Sequence, residues 1–173
     1  MSILVPVVST GITLNEVPDK VAFFIELGSC TQRCKGCHSK ELWEEVKDPT
    51  SLDILLKEAE KAIDKGANAI VLMGGTCNGL NIKELSTILQ ALSEIAPTCL
   101  YSGSDDQRLN RYLVENTDIT WIKTGSYKEE LGGLSSPTTN QRFYRKEYEE
   151  IFKKHQYCMT KMVLVDCTHL FQA

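Results

Sequence analysis

Val21-Ala-Phe-Phe-Ile-Glu-Leu-Gly-Ser-Cys30-Thr-Gln-Arg-Cys34-Lys-Gly-Cys37 joins an apolar run to a loop that carries three thiols. Residues 21–27 are rich in β-branched and aromatic side chains and read as a buried strand. The cysteines that follow are spaced by four and then three residues. An iron–sulfur cluster normally takes four thiolates, and a structural zinc takes four ligands. Three thiolates leave one metal atom open to another ligand, and an open position is a place for chemistry.

Downstream of this loop, Pro49 and then Thr50 or Ser51 precede Leu52-Asp-Ile-Leu-Leu-Lys-Glu-Ala-Glu-Lys-Ala-Ile63. Its apolar positions 52, 55, 56, 59, 62 and 63 follow the helical period, and Gly66 stops it. Ala69-Ile-Val-Leu-Met73, closed by Gly74-Gly75, reads as a central strand. A second amphipathic helix fits residues 82–95 and ends before Pro97. Residues 98–101 form a short strand, Ser102-Gly103-Ser104-Asp105 a turn and helix cap, residues 106–115 a helix and 119–123 a strand. Residues 125–139 read as a loop, 144–155 as helical and 162–165 as a last strand. Alternation of strand and helix implies parallel strands with helical crossovers, here in a single domain over residues 1–173. Ligands of such folds bind at the carboxyl ends of the strands. The cysteine loop, Gly74-Gly75-Thr76, Ser102-Gly103 and Lys123-Thr-Gly125 all fall there.

The composition is that of an ordinary globular protein, with 42% hydrophobic and 24% charged residues. The net charge of −4 argues against broad electrostatic binding to nucleic acid. No apolar run is long enough to span a bilayer. Met1-Ser-Ile-Leu-Val-Pro6 has no positively charged lead, so no signal peptide is expected. A cytoplasmic, reducing compartment follows, in which the seven cysteines are thiols or metal ligands rather than disulfides.

The alternatives at the cysteine loop are incidental thiols and a zinc site. His38 would be the fourth zinc ligand, but it adjoins Cys37, and zinc ligands usually come as two spaced pairs. Cys77 and Cys99 read as small core residues. Cys158 and Cys167 have no spacing that supports a ligand role, and His155 and His169 read as surface or packing residues.

Cys30-x-x-x-Cys34-x-x-Cys37 resembles the cluster motif of the radical S-adenosylmethionine (SAM) family. Gly36, before the last cysteine, resembles one subgroup, the activating proteins of anaerobic ribonucleoside-triphosphate reductase. Cys37-His-Ser-Lys-Glu-Leu-Trp43 is similar to that subgroup's post-cluster segment, and Thr139-Asn-Gln-Arg142 to its C-terminal signature. Ile122-Lys-Thr-Gly125, Tyr127 and Leu131-Gly-Gly-Leu134 fit the same pattern, so the likeness runs over residues 15–145.

The resemblance implies a short incomplete parallel (β/α) barrel in which Cys30, Cys34 and Cys37 hold a [4Fe–4S] cluster. SAM would chelate the open iron, and its reductive cleavage would give a radical that takes hydrogen from a glycine of the reductase large subunit. A flavodoxin or ferredoxin would donate the electron. Gly74-Gly75-Thr76 resembles the segment that meets the SAM amino group, with threonine in place of the usual acid. His38, with Gly36 and Cys37, would lie beside adenine. Ser102 and Lys123 complete the expected SAM contacts; Lys123 meets a carboxylate or ribose, or else is a solvated strand-end lysine. Thr139–Arg142 binds the partner, closes the site or forms a structural turn. A radical SAM enzyme acting on a small molecule, and a non-catalytic zinc or redox adapter, are the competing functions.

Overall fold

The computed structural model describes residues 3–152 and 158–172. In chain order it contains β1 (Leu4–Val5), β2 (Val7–Thr13), β3 (Ala22–Leu27), β4 (Thr50–Ser51) and α1 (Leu52–Asp64). Then come β5 (Ala69–Met73), α2 (Ile82–Ile95), β6 (Thr98–Tyr101), α3 (Gln107–Asn116), β7 (Trp121–Thr124), β8 (Arg142–Phe152) and β9 (Cys158–Asp166). Seven strands form one sheet in the order β2-β3-β5-β6-β7-β8-β9, while β1 and β4 make a separate antiparallel pair.

The centre of the sheet is parallel: β3, β5, β6 and β7 pair in that sense and are linked through α1, α2 and α3. β2 is added antiparallel on one side, and β8 with β9 on the other. The fold is therefore mixed α/β with a mostly parallel core.

Strand β5 shows why the core takes this form. Its side chains alternate between two apolar layers, so it needs cover on both faces. Ile70 and Leu72 join Ile25, Leu100 and Ile122 against Leu55, Leu89 and Leu113 of the helices. Ala69 and Val71 face the other way, onto Cys99, Phe143 and Cys167. Each fully buried leucine or isoleucine contributes on the order of 2 kcal/mol. The capping box at α2, in which Asn81 and Glu84 exchange side-chain and backbone hydrogen bonds, fixes where that helix starts.

Two expectations need correction, and one strand escaped the sequence reading. Of the helix expected over residues 144–155, residues 144–152 belong instead to strand β8, and residues 153–155, His155 among them, lie outside the described residues. The Glu/Lys-rich sequence favours a helix locally, but pairing with β7 and with β9 supplies the backbone partners that override it. Asp105 is not the cap of α3. Asp106 is, its carboxylate accepting from Arg108 N and Leu109 N at 2.8 and 3.2 Å. Strand β2, absent from the sequence reading, pairs along β3, where Ser9 Oγ donates to Glu26 at 2.7 Å.

Candidate functional site

The cysteine loop leaves the carboxyl end of β3 and is held in place by backbone hydrogen bonds. Gly28 N donates to Pro6 O (2.9 Å), Cys30 N to Leu42 O (2.8 Å) and Thr31 N to Cys77 O (2.8 Å). The chain turns back on itself through left-handed φ at Arg33 (45°) and Gly36 (71°). Cys37 N closes onto Cys34 O at 3.1 Å. Cys30, Cys34 and Cys37 are all free thiols and half-buried.

The neighbouring strand ends come to the same rim. Gly74 and Gly75 both adopt left-handed φ, 111° and 113°. A Cβ on Gly74 would meet Asn78 Oδ1 at 2.7 Å, so glycine is required there. Asn78, which sequence reasoning missed, is the staple of this corner. Its Oδ1 accepts from Gly75 N (2.7 Å) while its Nδ2 donates to Leu27 O (3.1 Å) and Gly28 O (2.7 Å). One buried amide thus ties the glycine turn to the start of the cysteine loop. Nothing in the local sequence distinguishes it from a surface turn asparagine.

Thr76 is half-buried beside this turn. Ser102 is buried and engaged in the fold: its hydroxyl lies 2.6 Å from Asn110 Oδ1 and accepts from Ser104 N at 3.2 Å. Cys99 is a core residue, as read from the sequence. Cys77 is not. It is half-buried, and its carbonyl accepts from both Thr31 N and Thr31 Oγ1, while its thiol lies 3.0 Å from Gln32 Oε1. Cys167 is buried and His169 is exposed. Cys158 begins β9.

A cavity of about 840 Å³ opens at this rim, bordered by Glu16, His38, Tyr101, Lys123, Tyr127 and Gln141. Lys123 Nζ donates to Gly125 O at 3.3 Å and stands 5.8 Å from the Tyr101 ring. Burial of this amine brings its pKa down from 10.5 to about 8, against the opposing pull of Cys34 and Glu16. Tyr101 donates its phenol to Glu16 O at 2.6 Å, and burial holds that phenol protonated.

The β7–β8 loop folds over the cysteine loop. Tyr127 Oη lies 3.4 Å from His38 Nε2, with the rings edge to face at 5.5 Å. Glu129 packs against Gly36 so closely that a Cβ there would lie 2.7 Å from its side chain, and it pairs with Lys35 at 3.6 Å. Thr139–Arg142 anchor this loop. Thr139 Oγ1 donates to Gly132 O, Asn140 Nδ2 to Ser126 O, and Gln141 Nε2 to Gly125 O. Arg142 Nη1 returns to Thr139 O and Gln141 O. The signature is a structural turn in this fold. Asp105 holds the loop from the other side by accepting from Ser126 N and Oγ, bonds that keep its carboxyl below the usual range.

The donor set fits a cluster better than a single ion. Four zinc ligands must converge on one point, and among the described residues no three His, Cys, Asp or Glu side chains do so. Each thiolate of a [4Fe–4S] cluster meets a different iron, so its ligands stand apart. Three unpaired thiols in one tightly turned loop match that need.

The 7-carboxy-7-deazaguanine synthase of Prochlorococcus marinus is 36% identical to this chain over 72 residues. That stretch is 41% of this chain and 32% of the synthase, so the chain spans about a third of that relative's length. No solved structure matches the chain. No described helix is long and apolar enough to cross a membrane. The sequence profile of the 4Fe–4S single cluster domain matches residues 20–159, which takes in the three-thiol loop, the glycine turn and the loop that covers them. With most of its length accounted for in this way, the chain belongs to the 4Fe–4S single cluster domain family.

Proposed function

We propose that this protein is a radical SAM enzyme, built as a partial barrel, that activates an anaerobic ribonucleoside-triphosphate reductase by generating a glycyl radical on its large subunit. The observation that carries the reading is a loop with three cluster thiols, rather than four, set beside a double-glycine turn and an 840 Å³ cavity at the strand ends.

When bound, the cluster supplies the electron that splits SAM into methionine and a 5′-deoxyadenosyl radical. The electron itself would come from a flavodoxin or ferredoxin. Cys30, Cys34 and Cys37 hold the cluster. Gly74 and Gly75 lack side chains and let the backbone approach a ligand. Their carbonyls and the Thr76 hydroxyl accept hydrogen bonds from an ammonium. Lys123 presents a cation to a carboxylate on the cavity side. Gly36, Cys37 and His38, pinned by Glu129 and Tyr127, border the adenine, and Ser102 fixes the turn next to Thr76.

A macromolecular substrate is favoured by the cavity mouth. Leu14 and Leu170 line it and are 67% and 51% exposed. Apolar side chains at a cavity entrance are covered by a docking protein more readily than by a small polar ligand. A second reading, action on a small molecule, is favoured by the likeness to the deazaguanine synthase. The two are separated by mixing the anaerobically reconstituted protein with reductase, SAM and a reductant. The first reading expects a glycyl-radical doublet in electron paramagnetic resonance; SAM cleavage without the doublet favours the second.

A further inference from the structure

Gly74, Gly75 and Thr76 offer an ammonium only neutral acceptors, backbone carbonyls and one hydroxyl. An ionised acceptor holds a partly desolvated cation better than neutral ones do. The 840 Å³ cavity contains a carboxylate with no part in the site so far. Glu16 lies in the connection from β2 to β3, is half-buried, and lines that cavity together with Lys123. Its backbone is fixed in place. Val17 beside it is fully buried, and the Glu16 carbonyl accepts the Tyr101 phenol at 2.6 Å. Tyr101 also reaches the glycine turn, because its own carbonyl accepts from Gly74 N at 3.0 Å. One residue of β6 thus links Glu16 to that turn. Asp19, the cavity's other carboxylate, is exposed.

Glu16 and Lys123 feel each other across the cavity, since the carboxylate draws the amine's pKa upward against burial. Among the described residues neither is in an ion pair, with the other or with any third group. The Lys123 amine donates only to Gly125 O, at 3.3 Å. A carboxylate and an ammonium that line one cavity without meeting are complementary to a ligand carrying the reverse pair of charges a short distance apart. The head of an α-amino acid is such a ligand. We propose that Glu16 binds the α-ammonium, and Lys123 the α-carboxylate, of a zwitterionic amino-acid head, that of the methionine half of SAM. Glu16 thereby brings, from the β2–β3 connection, the negative charge that the glycine turn and Thr76 do not carry. The identification of the ligand as SAM rests on the function proposed above; the zwitterion site rests on the cavity itself.

The test measures anaerobic dissociation constants of the full chain, before and after cluster reconstitution, as wild type, Glu16→Gln, Glu16→Asp and Lys123→Met. At pH 7 Lys123, with a pKa of about 8, is charged. Three probes separate the groups of the head. S-adenosylhomocysteine carries the whole zwitterion, its deaminated analogue keeps only the carboxylate, and 5′-methylthioadenosine has neither. Glu16→Gln should weaken S-adenosylhomocysteine by about tenfold or more, the worth of a charge-assisted contact, and leave the other two probes unchanged. Glu16→Asp should recover part of that loss. Lys123→Met should weaken both probes that bear a carboxylate and spare 5′-methylthioadenosine. Equal affinity of wild type and Glu16→Gln for S-adenosylhomocysteine would overturn the proposal, and if SAM is cleaved all the same, the radical SAM function stands without it. A loss in Glu16→Gln that extends equally to 5′-methylthioadenosine would also overturn it, by marking Glu16 as a structural residue. If the head is bound in a Glu16-dependent way but reduced, loaded protein does not cleave SAM, the zwitterion site stands and the radical SAM function fails. A wild type with no affinity for SAM or S-adenosylhomocysteine overturns both.

Discussion

Replacing Lys123 with methionine removes a cation that the fold holds at a cost. The side chain is surrounded by Tyr101, the Gly125 carbonyl and the wall of the cavity. Burial brings its pKa from 10.5 to about 8. An unfolded chain keeps an ordinary lysine, so between pH ~8 and ~10.5 the unfolded state binds a proton that the folded state does not, and stability rises with pH through that window. Below pH ~8 both states are charged and the folded state carries the full penalty. The drop from 10.5 to about 8, at ~1.36 kcal/mol per pH unit, gives an upper bound of about 3 kcal/mol. Loss of the hydrogen bond to Gly125 returns about 1 kcal/mol of that. Lys123→Met should therefore stabilise the protein by up to ~2 kcal/mol at pH 7. The gain should shrink as pH rises above ~8 and be gone by pH ~10.5, where the wild-type lysine is neutral in the folded state and half-neutral in the unfolded one. Urea unfolding of both proteins, reduced and metal-free, at pH 7 and pH 10 measures this, because all other titrating groups are shared and cancel. A variant less stable at pH 7, or a difference that does not change with pH, would refute the reasoning.

Other residues of the site make further expectations. Asn78→Ala leaves Leu27 O, Gly28 O and Gly75 N without their partner in a buried corner, and should cost about 2–4 kcal/mol in thermal unfolding while lowering iron uptake. Gly36→Ala puts a Cβ 2.7 Å from Glu129 at a φ of +71°; cluster occupancy should fall, and Glu129→Gly in the same chain, which removes the Cβ at 2.9 Å as well, should restore part of it, leaving the backbone strain of about 1 kcal/mol. Asp105 has a lowered pKa because Ser126 bonds its charged form, so its contribution is present above the ordinary aspartate range and is lost as pH falls through the lowered value. Asp105→Asn should flatten that acid limb of the stability profile. Thr76→Ala should weaken SAM binding, read by equilibrium dialysis, with little change in melting temperature.

The parallel core was legible because its residues are buried on both faces and so form short apolar runs. Ala69–Met73 and residues 98–101 need no partner information to be recognised. The three thiols and the double glycine were equally legible, being residue types with few other uses at that spacing. What escaped lies where burial is one-sided or absent. β8 passes from buried Phe143 to exposed positions at Tyr148, Glu149 and Glu150, so its outer half has no apolar alternation to read, and its Lys and Glu content mimics a helix. β2, with Ser9, Thr10 and Gly11 in its middle, lacks a strand-like run. Asn78 and Cys77 act across 50 and 46 residues of chain, on Gly28 and Thr31, contacts that no local pattern encodes.

The central claim, that Cys30, Cys34 and Cys37 hold a cluster that cleaves SAM, is tested most directly by one product measurement. Reconstituted, dithionite-reduced protein is incubated with SAM, and methionine and 5′-deoxyadenosine are quantified alongside iron and sulfide. The cluster assignment predicts about four irons and four sulfides per chain, equal amounts of the two products, and loss of both cluster and products in Cys34→Ala with the fold retained. A colourless protein holding stoichiometric zinc, or cleavage that survives in Cys34→Ala, would contradict it.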